Sequence, residues 1–253
     1  MNYFADPEVA RRYAASRPYF HPVVFSRLSQ IAAMPEPLPL GLDVACGTGQ
    51  SARALSTVVR HVVAVDASVD MLRHAERDAG DLAAASAERL PFRCATFDVL
   101  AVGLAFHWLE RGPLLSEAIR VLRDPGWLVI YDNWFPGNMR ENPAFHGWYD
   151  QAYLSNFPSP ARDRRPLSTS EAQAAGFTFV LREQFSNFVT WTCNELVKYL
   201  CTQTNVIAAV TRRSLRLEEV EQALSSALKP LFEHQQHGTF EFEGFLWFLQ
   251  KAV

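Results

Sequence analysis

The stretch Leu42-Asp43-Val44-Ala45-Cys46-Gly47-Thr48-Gly49-Gln50 constrains this chain more than any other. An apolar run that carries an acid and ends in a small glycine loop reads as a buried parallel strand delivering its carboxyl end to a ligand. Gly47 and Gly49 let the backbone turn sharply and approach that ligand, where a side chain would fill the space. A second apolar run, His61-Val62-Val63-Ala64-Val65-Asp66, closes on a carboxylate 17 residues after Gly49. That is close to the spacing of about 20 residues between a glycine loop and an acid that accepts ribose hydroxyls. With a helix predicted over Ser51 to Val59, the two runs describe a β-α-β unit suited to holding an adenosine.

The chain has 253 residues, 49% of them hydrophobic, enough to bury a large core. A formal net charge of -3 leaves no global basic field, which argues against nucleic acid and for a small-molecule partner. Four cysteines, Cys46, Cys94, Cys193 and Cys201, include no C-x-x-C pair, which suits a reducing compartment and no metal site. The opening Met1-Asn2-Tyr3-Phe4-Ala5-Asp6-Pro7 lacks a basic segment followed by an apolar one, and no apolar run reaches about 18 residues. A cytoplasmic protein with no membrane contact is therefore expected, its oligomeric state left open.

Along the chain, Glu8 to Ile31 has helical spacing broken at Pro18 and Pro22, and Pro35-Glu36-Pro37-Leu38-Pro39 is held extended. Residues 1–34 read as a helical N-terminal arm whose Tyr13, Arg17, Tyr19, Phe20 and His21 suggest a lid. Next come a helix from Val69 to Ala79, a strand from Leu82 to Ala85, a strand from Phe97 to Gly103 and a helix from Pro113 to Leu122. A strand from Trp127 to Tyr131 follows the turn signal Asp124-Pro125-Gly126. This alternation predicts a parallel sheet covered by helices on both faces. Residues 134–166, interrupted by prolines, and the helical residues 193–232 are expected to form a cap over the mouth of the sheet. A helix from Ser168 to Ala175 is predicted before the long strand at 177–189. That strand and another at 239–250 are expected as a closing antiparallel pair.

Gly47-Thr48-Gly49-Gln50-Ser51-Ala52 also fits the dinucleotide fingerprint G-x-G-x-x-[G/A], which alone does not choose between cofactors. Three features choose: Asp43 upstream in the strand, Ala87-Glu88-Arg89-Leu90-Pro91-Phe92 after strand three, and Phe106-His107-Trp108 after strand four. Taken with Val65-Asp66-Ala67-Ser68 and Leu122-Arg123-Asp124-Pro125-Gly126-Trp127, they make residues 40–133 resemble the class I S-adenosylmethionine-dependent methyltransferases. A Gly-Gly usual in that family is Pro125-Gly126 here. The resemblance implies an α/β, Rossmann-like, seven-stranded, mostly parallel sheet with an antiparallel terminal strand, a helical N-terminal arm and a cap insertion, all in a single domain spanning 1–253. It implies that Gly47 and Gly49 face the methionine portion, Asp66 receives the ribose hydroxyls, Ala67 and Met71 pack on adenine, and Ala87 and Glu88 border it. Asp43, Gly103, Tyr13 and Arg17 complete the cofactor set it implies. The segments Tyr13 to Phe20, Phe106 to Trp108 and Glu195 to Val206 are similar to the small-molecule branch that contains trans-aconitate-type carboxyl methyltransferases.

His107 follows strand four at the sheet edge where open α/β folds do chemistry, and is the candidate general base. The alternative is an ordinary packing pair with Trp108. Arg140, Arg162, Arg164 and Arg165 either bind a carboxylate bidentately or form a solvated loop. Trp134, Phe135, Trp148, Tyr149, Tyr153 and Phe157 either line a pocket or make the cap's own core. The expected function is methylation of a small-molecule acceptor, at a carboxylate or hydroxyl oxygen. A catalytically silent cofactor-binding relative and an NAD-dependent oxidoreductase are the rivals; the second gives Asp43 and Glu88 no role.

Overall fold

The continuous apolar runs become strands whose successive residues enter two different cores. The computed structural model describes residues 3–34, 36–213 and 215–252. Met1 and Asn2 of the opening segment, Pro35 of the proline stretch, Ser214 and Val253 lie outside the described residues. In chain order the elements begin with α1 (Pro7–Ser16), α2 (Pro22–Ile31), β1 (Leu38–Val44), α3 (Gln50–Leu55), β2 (Val59–Asp66), α4 (Val69–Arg73) and β3 (Asp81–Ala84). They continue with β4 (Phe97–Gly103), a 3-10 turn (Phe106–Trp108), α5 (Arg111–Val121), β5 (Leu122–Met139), α6 (Ala144–Trp148), a π turn (Tyr149–Tyr153) and α7 (Leu154–Asn156). Then follow α8 (Thr169–Ala174), β6 (Phe177–Trp191), α9 (Cys193–Leu200), α10 (Thr204–Arg213), α11 (Leu217–Leu228), a 3-10 turn (Lys229–Phe232) and β7 (Gly238–Lys251).

The strands form one seven-stranded sheet in the order β3-β2-β1-β4-β5-β7-β6, mostly parallel with an antiparallel strand at its closing end. The expected Rossmann-like architecture is what the chain adopts. Parallel register sets Val44 beside Val65, Asp66 beside Ala84 and Gly103 beside Tyr131, so the strands' carboxyl ends share one edge.

By internal contacts the chain groups into two compact units. The larger comprises Tyr19–Asn133, Arg162–Phe185 and Gly244–Val253. Here Leu100 and Val102 of β4, Leu128 and Ile130 of β5, and Trp247 and Leu249 of β7 enter one core with Leu114 and Ala118 of α5. Their neighbours Val99, Ala101, Val129, Tyr131, Leu246 and Phe248 enter a second core with Phe25 and Leu28 of α2 and Leu55 of α3. Alternation along a strand therefore gives no polar face, which is why these runs read as unbroken hydrophobic sequence. Fully burying each aliphatic side chain stabilises the fold by roughly 1.5–3 kcal/mol before entropy is counted.

The smaller unit comprises Met1–Pro18, Trp134–Ala161 and Ser186–Glu243. Its core is aromatic: Phe135 stacks on Phe242 at 5.3 Å, and Trp191 lies 4.7 Å from Tyr199. Phe145 and Tyr153 are buried with them, whereas Trp134 is 41% exposed.

Local departures from expectation have local causes. The helix predicted to Ala79 stops at Arg73, because the Glu76 amide turns away to donate to Thr48 O at 3.0 Å. The turn signal Asp124-Pro125-Gly126 lies in a bulge within β5, since Phe97 pairs with Leu122 but Val99 already pairs with Trp127. Residues 134–139, read as the start of an irregular insertion, continue β5. The predicted arm divides: residues up to Pro18 go with the smaller unit, while α2 buries Val24, Phe25 and Leu28 in the larger one. Among the described residues no helix is long and apolar enough to cross a membrane, and no His, Cys, Asp and Glu cluster has metal-ligand character.

Candidate functional site

The β1 carboxylate, Asp43, is fully buried. Ser51, at the start of α3, donates its hydroxyl to Asp43 Oδ2, whereas Oδ1 is buried with no hydrogen-bond partner among the described residues. Burial pushes the Asp43 carboxyl up to about 7, the Ser51 hydroxyl pulling against it and Asp66 adding to it. Above it the chain leaves the strand through Gly47 at φ +57 and Gly49 at φ +80, both left-handed.

Gly49 is demanded by packing as well as by turn geometry. A Cβ there would lie 2.5 Å from the Ala79 Cβ, so its missing side chain makes room for protein and not for ligand. At Gly47 the neighbour would be the Met71 Cε at 3.1 Å.

Asp66 ends β2 beside this loop. Its Oδ2 accepts the Gly47 amide at 2.8 Å and its Oδ1 accepts the Ser68 amide at 2.7 Å. Burial raises its carboxyl, and those two amides oppose the shift. Each oxygen of an ionised carboxylate has two acceptor positions, so one on each remains for a ligand donor. Ala67 is exposed at this edge and Met71 is buried beneath Gly47. Two glycines in left-handed conformation, a leftover buried acceptor on Asp43 and a part-used carboxylate on Asp66 fit an adenosine cofactor bearing an amino acid tail.

Other expected residues take more structural partners. Ala87 is buried, and Glu88 accepts from the Ser86 hydroxyl and from the Glu110 amide at 3.2 Å, not from Arg89. Gly103 ends β4 where the Tyr131 ring crosses it; an added Cβ would meet the Tyr131 hydroxyl at 2.5 Å. Tyr13 and Arg17 belong to the smaller unit. There the Arg17 guanidinium lies over Tyr13 at 4.5 Å and donates to Thr202 O at 2.7 Å. Asp43, Gly47, Asp66, Ala67 and Met71 thus come together on one stretch of sheet edge, and Gly103 lies at the end of β4 on the same edge.

His107 is placed by a residue that sequence reasoning missed. Its Nδ1 is 2.8 Å from Asp132 Oδ2, one position past the last β4–β5 pair, and its Nε2 is 3.2 Å from Arg162 Nη1. The signal for Asp132 was present: Leu128-Val129-Ile130-Tyr131-Asp132 is a third apolar run closed by a carboxylate. His21, named among the arm residues that suggest a lid, is buried, and its contact with Tyr131 was not read: its Nδ1 lies 2.8 Å from the Tyr131 hydroxyl, and burial drives its imidazole down to about 3, the Gln50 side chain opposing. No motif spacing links positions 110 residues apart.

Residues 42–130 match the family model described as a methyltransferase domain. A malonyl-[acyl-carrier protein] O-methyltransferase from Erwinia pyrifoliae is 31% identical over 145 residues, 55% of this chain and 55% of that protein. A protein of the same name from Geobacter sulfurreducens is 34% identical over 146 residues, 53% of this chain and 52% of its own length. The chain thus spans about half the length of the curated relatives it matches. Among solved structures, a candidate type II methyltransferase from Anaeromyxobacter dehalogenans superposes with a TM-score of 0.68 at 21% identity, over 93% of this chain and 97% of the other. That likeness shows the fold, and the family match lies on the stretch that carries the glycine loop, Asp66 and His107.

Proposed function

We propose that this chain is an S-adenosylmethionine-dependent methyltransferase that acts on an oxygen of a small molecule. The observation that carries the reading is the junction of β1 and β2, where Asp66 holds the Gly47 amide and the buried Asp43 keeps one oxygen without a hydrogen bond among the described residues. In this reading Asp66 accepts the ribose hydroxyls, Ala67 and Met71 lie against adenine, Ala87 and Glu88 border it, and Asp43 with the glycine loop serves the amino acid end. When bound, S-adenosylmethionine supplies a methyl group on a positive sulfonium, transferred in line to the acceptor oxygen as the bonding pair returns to sulfur.

The chain's own task is to align the acceptor and exclude water. A carboxylate acceptor is ionised at neutral pH and needs no base. That fits a His107 already engaged on both ring nitrogens. The relatives named as O-methyltransferases support oxygen as the receiving atom. The similarity to the trans-aconitate-type branch supports a small acid as acceptor.

Calorimetric titration with S-adenosylmethionine, S-adenosylhomocysteine and NAD tests the reading. The two sulfur compounds should bind and NAD should not, and Asp66→Ala should weaken both by about 10- to 100-fold through loss of a charged acceptor. Binding of NAD alone would replace methyl transfer with hydride transfer. Full affinity in Asp66→Ala would remove the ribose assignment.

A further inference from the structure

His21 stands where a helix cap would, but its ring is used elsewhere. It precedes α2 without a side-chain capping bond, and it is only 3% exposed. The ring stacks on Phe20 at 4.4 Å and turns Nδ1 to the Tyr131 hydroxyl at 2.8 Å. Nε2, on the other side of the ring, is buried with no hydrogen-bond partner among the described residues. The Gln50 side chain is near enough to favour the charged ring, yet burial prevails and the imidazole is neutral at physiological pH. A neutral imidazole has one N–H and one lone pair, so one polar group of His21 is left over in the interior. Such a group costs stability, and a ligand that completes it is a physical reason to keep it.

Strand register brings that group to the face of the sheet that holds another leftover buried atom, Asp43 Oδ1. Asp43 of β1 pairs with Ala101 of β4, and Ala101 with Val129 of β5. Gly103 and Tyr131 pair two residues further on, so their side-chain positions share that face, and Ala101, Val129 and Tyr131 enter one core there. With no Cβ at Gly103 the Tyr131 ring lies across β4, its hydroxyl 2.5 Å from where that Cβ would be. The crossing carries the hydroxyl from β5 toward β1, and His21 meets it there. Gln50, the first residue of α3, is beside His21, and Ser51, the second, donates to Asp43 Oδ2. Two consecutive residues therefore each reach one of the two groups, which brings both to the exit of the glycine loop.

We infer that His21 is a cofactor-binding residue, its Nε2–H donating to the carboxylate of the cofactor's amino acid end while Asp43 Oδ1 accepts from the α-ammonium. This assignment rests on the methyltransferase reading and deepens it. The Tyr131 hydroxyl then donates to Nδ1, which leaves the ring proton on Nε2. An α-amino acid carries an ammonium and a carboxylate on one carbon, and a leftover acceptor close to a leftover donor matches that pair. Gly103 serves the cofactor through Tyr131, since its missing side chain is what lets the hydroxyl reach His21.

The test measures by calorimetry the affinity of the full chain for three ligands: S-adenosylhomocysteine, its decarboxylated analogue, which keeps the amine, and 5′-methylthioadenosine, which has neither charged group. His21→Phe keeps a buried ring and should weaken S-adenosylhomocysteine by about tenfold or more while leaving the other two affinities unchanged. His21→Gln, whose amide nitrogen can stand where Nε2 does, should retain most of the S-adenosylhomocysteine affinity. His21→Asn, whose amide reaches only the Nδ1 position, should lose it as the phenylalanine variant does. Asp43→Asn should weaken S-adenosylhomocysteine and the decarboxylated analogue alike and spare 5′-methylthioadenosine. Equal weakening of all three ligands in His21→Phe would reduce His21 to a packing residue, and undiminished S-adenosylhomocysteine affinity would remove it from the cofactor site; either result overturns the assignment. An Asp43→Asn protein that binds the decarboxylated analogue at full strength would take the ammonium away from Asp43 and overturn the pairing. Failure of the wild type to bind S-adenosylhomocysteine and 5′-methylthioadenosine at all would instead sink the methyltransferase reading beneath it.

Discussion

Asp43 is an acid kept where water cannot reach it, and its ionisation should be visible in the stability of the ligand-free protein. Its folded-state value, about 7, stands above the ordinary value of 3.8. The folded form therefore holds a proton that the unfolded form releases, so the contribution is fully present below about pH 4 and lost as pH rises to about 7. Asp43→Asn keeps the shape and cannot ionise. Relative to wild type it should gain stability between pH 4 and 7, by at most about 4 kcal/mol, and hold the gain above. Urea unfolding of both proteins at pH 5 and pH 8 checks this; parallel pH dependence would mean that Asp43 titrates normally. Gly49 separates two effects in the same way. Gly49→Ala should destabilise by about 1–3 kcal/mol, from the left-handed φ and the Ala79 contact together. Adding Ala79→Gly should recover the steric part alone, so a double-mutant cycle with no coupling would show that Ala79 is not the obstacle. The need for glycine at 49 was legible in the sequence, whereas its contact with Ala79 was not, because the helix expected over Val69 to Ala79 breaks off at Arg73.

At the scale of elements, the connection from Arg162 to α8 has little regular structure, yet side chains from other elements hold it, Arg182 at the Leu167 carbonyl and Arg111 over more of its length. Arg111, at the start of α5, is only 10% exposed and bonds to the carbonyls of Arg165 and Pro166. It also lies 3.8 Å from Glu171, whose capping box with Ser168 starts α8. Arg111→Ala should leave those carbonyls to water and raise hydrogen exchange across residues 163–172, with a loss of about 1–3 kcal/mol. Exchange confined to its old rate would show that the loop holds its own shape. The strands and the first helices were readable because hydrophobic runs and glycine turns are local signals. This clamp was not, since Arg111 and Arg165 are 54 positions apart and nothing in their spacing pairs them. The bulge in β5 lay in between: the turn residues were visible, but only the register against β4 distinguishes a bulge from a strand end.

For the molecule as a whole, legibility followed the distance over which contacts close. Residues 40–133 carry their meaning in order along the chain, and Asp43, Gly47 and Asp66 meet where the strand ends predict. The smaller unit draws Met1–Pro18, Trp134–Ala161 and Ser186–Glu243 from three distant stretches, and its aromatic core has no sequence period to announce it. The sheet-edge residues Asp43, Gly47, Asp66, Ala87 and His107 all lie within the larger unit, which has its own two cores. Ligand bound there must therefore add to the free energy that holds that unit folded. S-adenosylhomocysteine at 100 times its Kd should stabilise wild type by about 2.7 kcal/mol. At the same concentration an Asp66→Ala protein with 10- to 100-fold weaker affinity should gain only about 0.4–1.4 kcal/mol. Hydrogen exchange of the slowest amides in β1 and β4 reads this directly, since they open only with the unit as a whole. If the ligand slows those amides equally in both proteins, the binding energy does not pass through Asp66, and the junction of β1 and β2 is a structural turn without a ribose to hold.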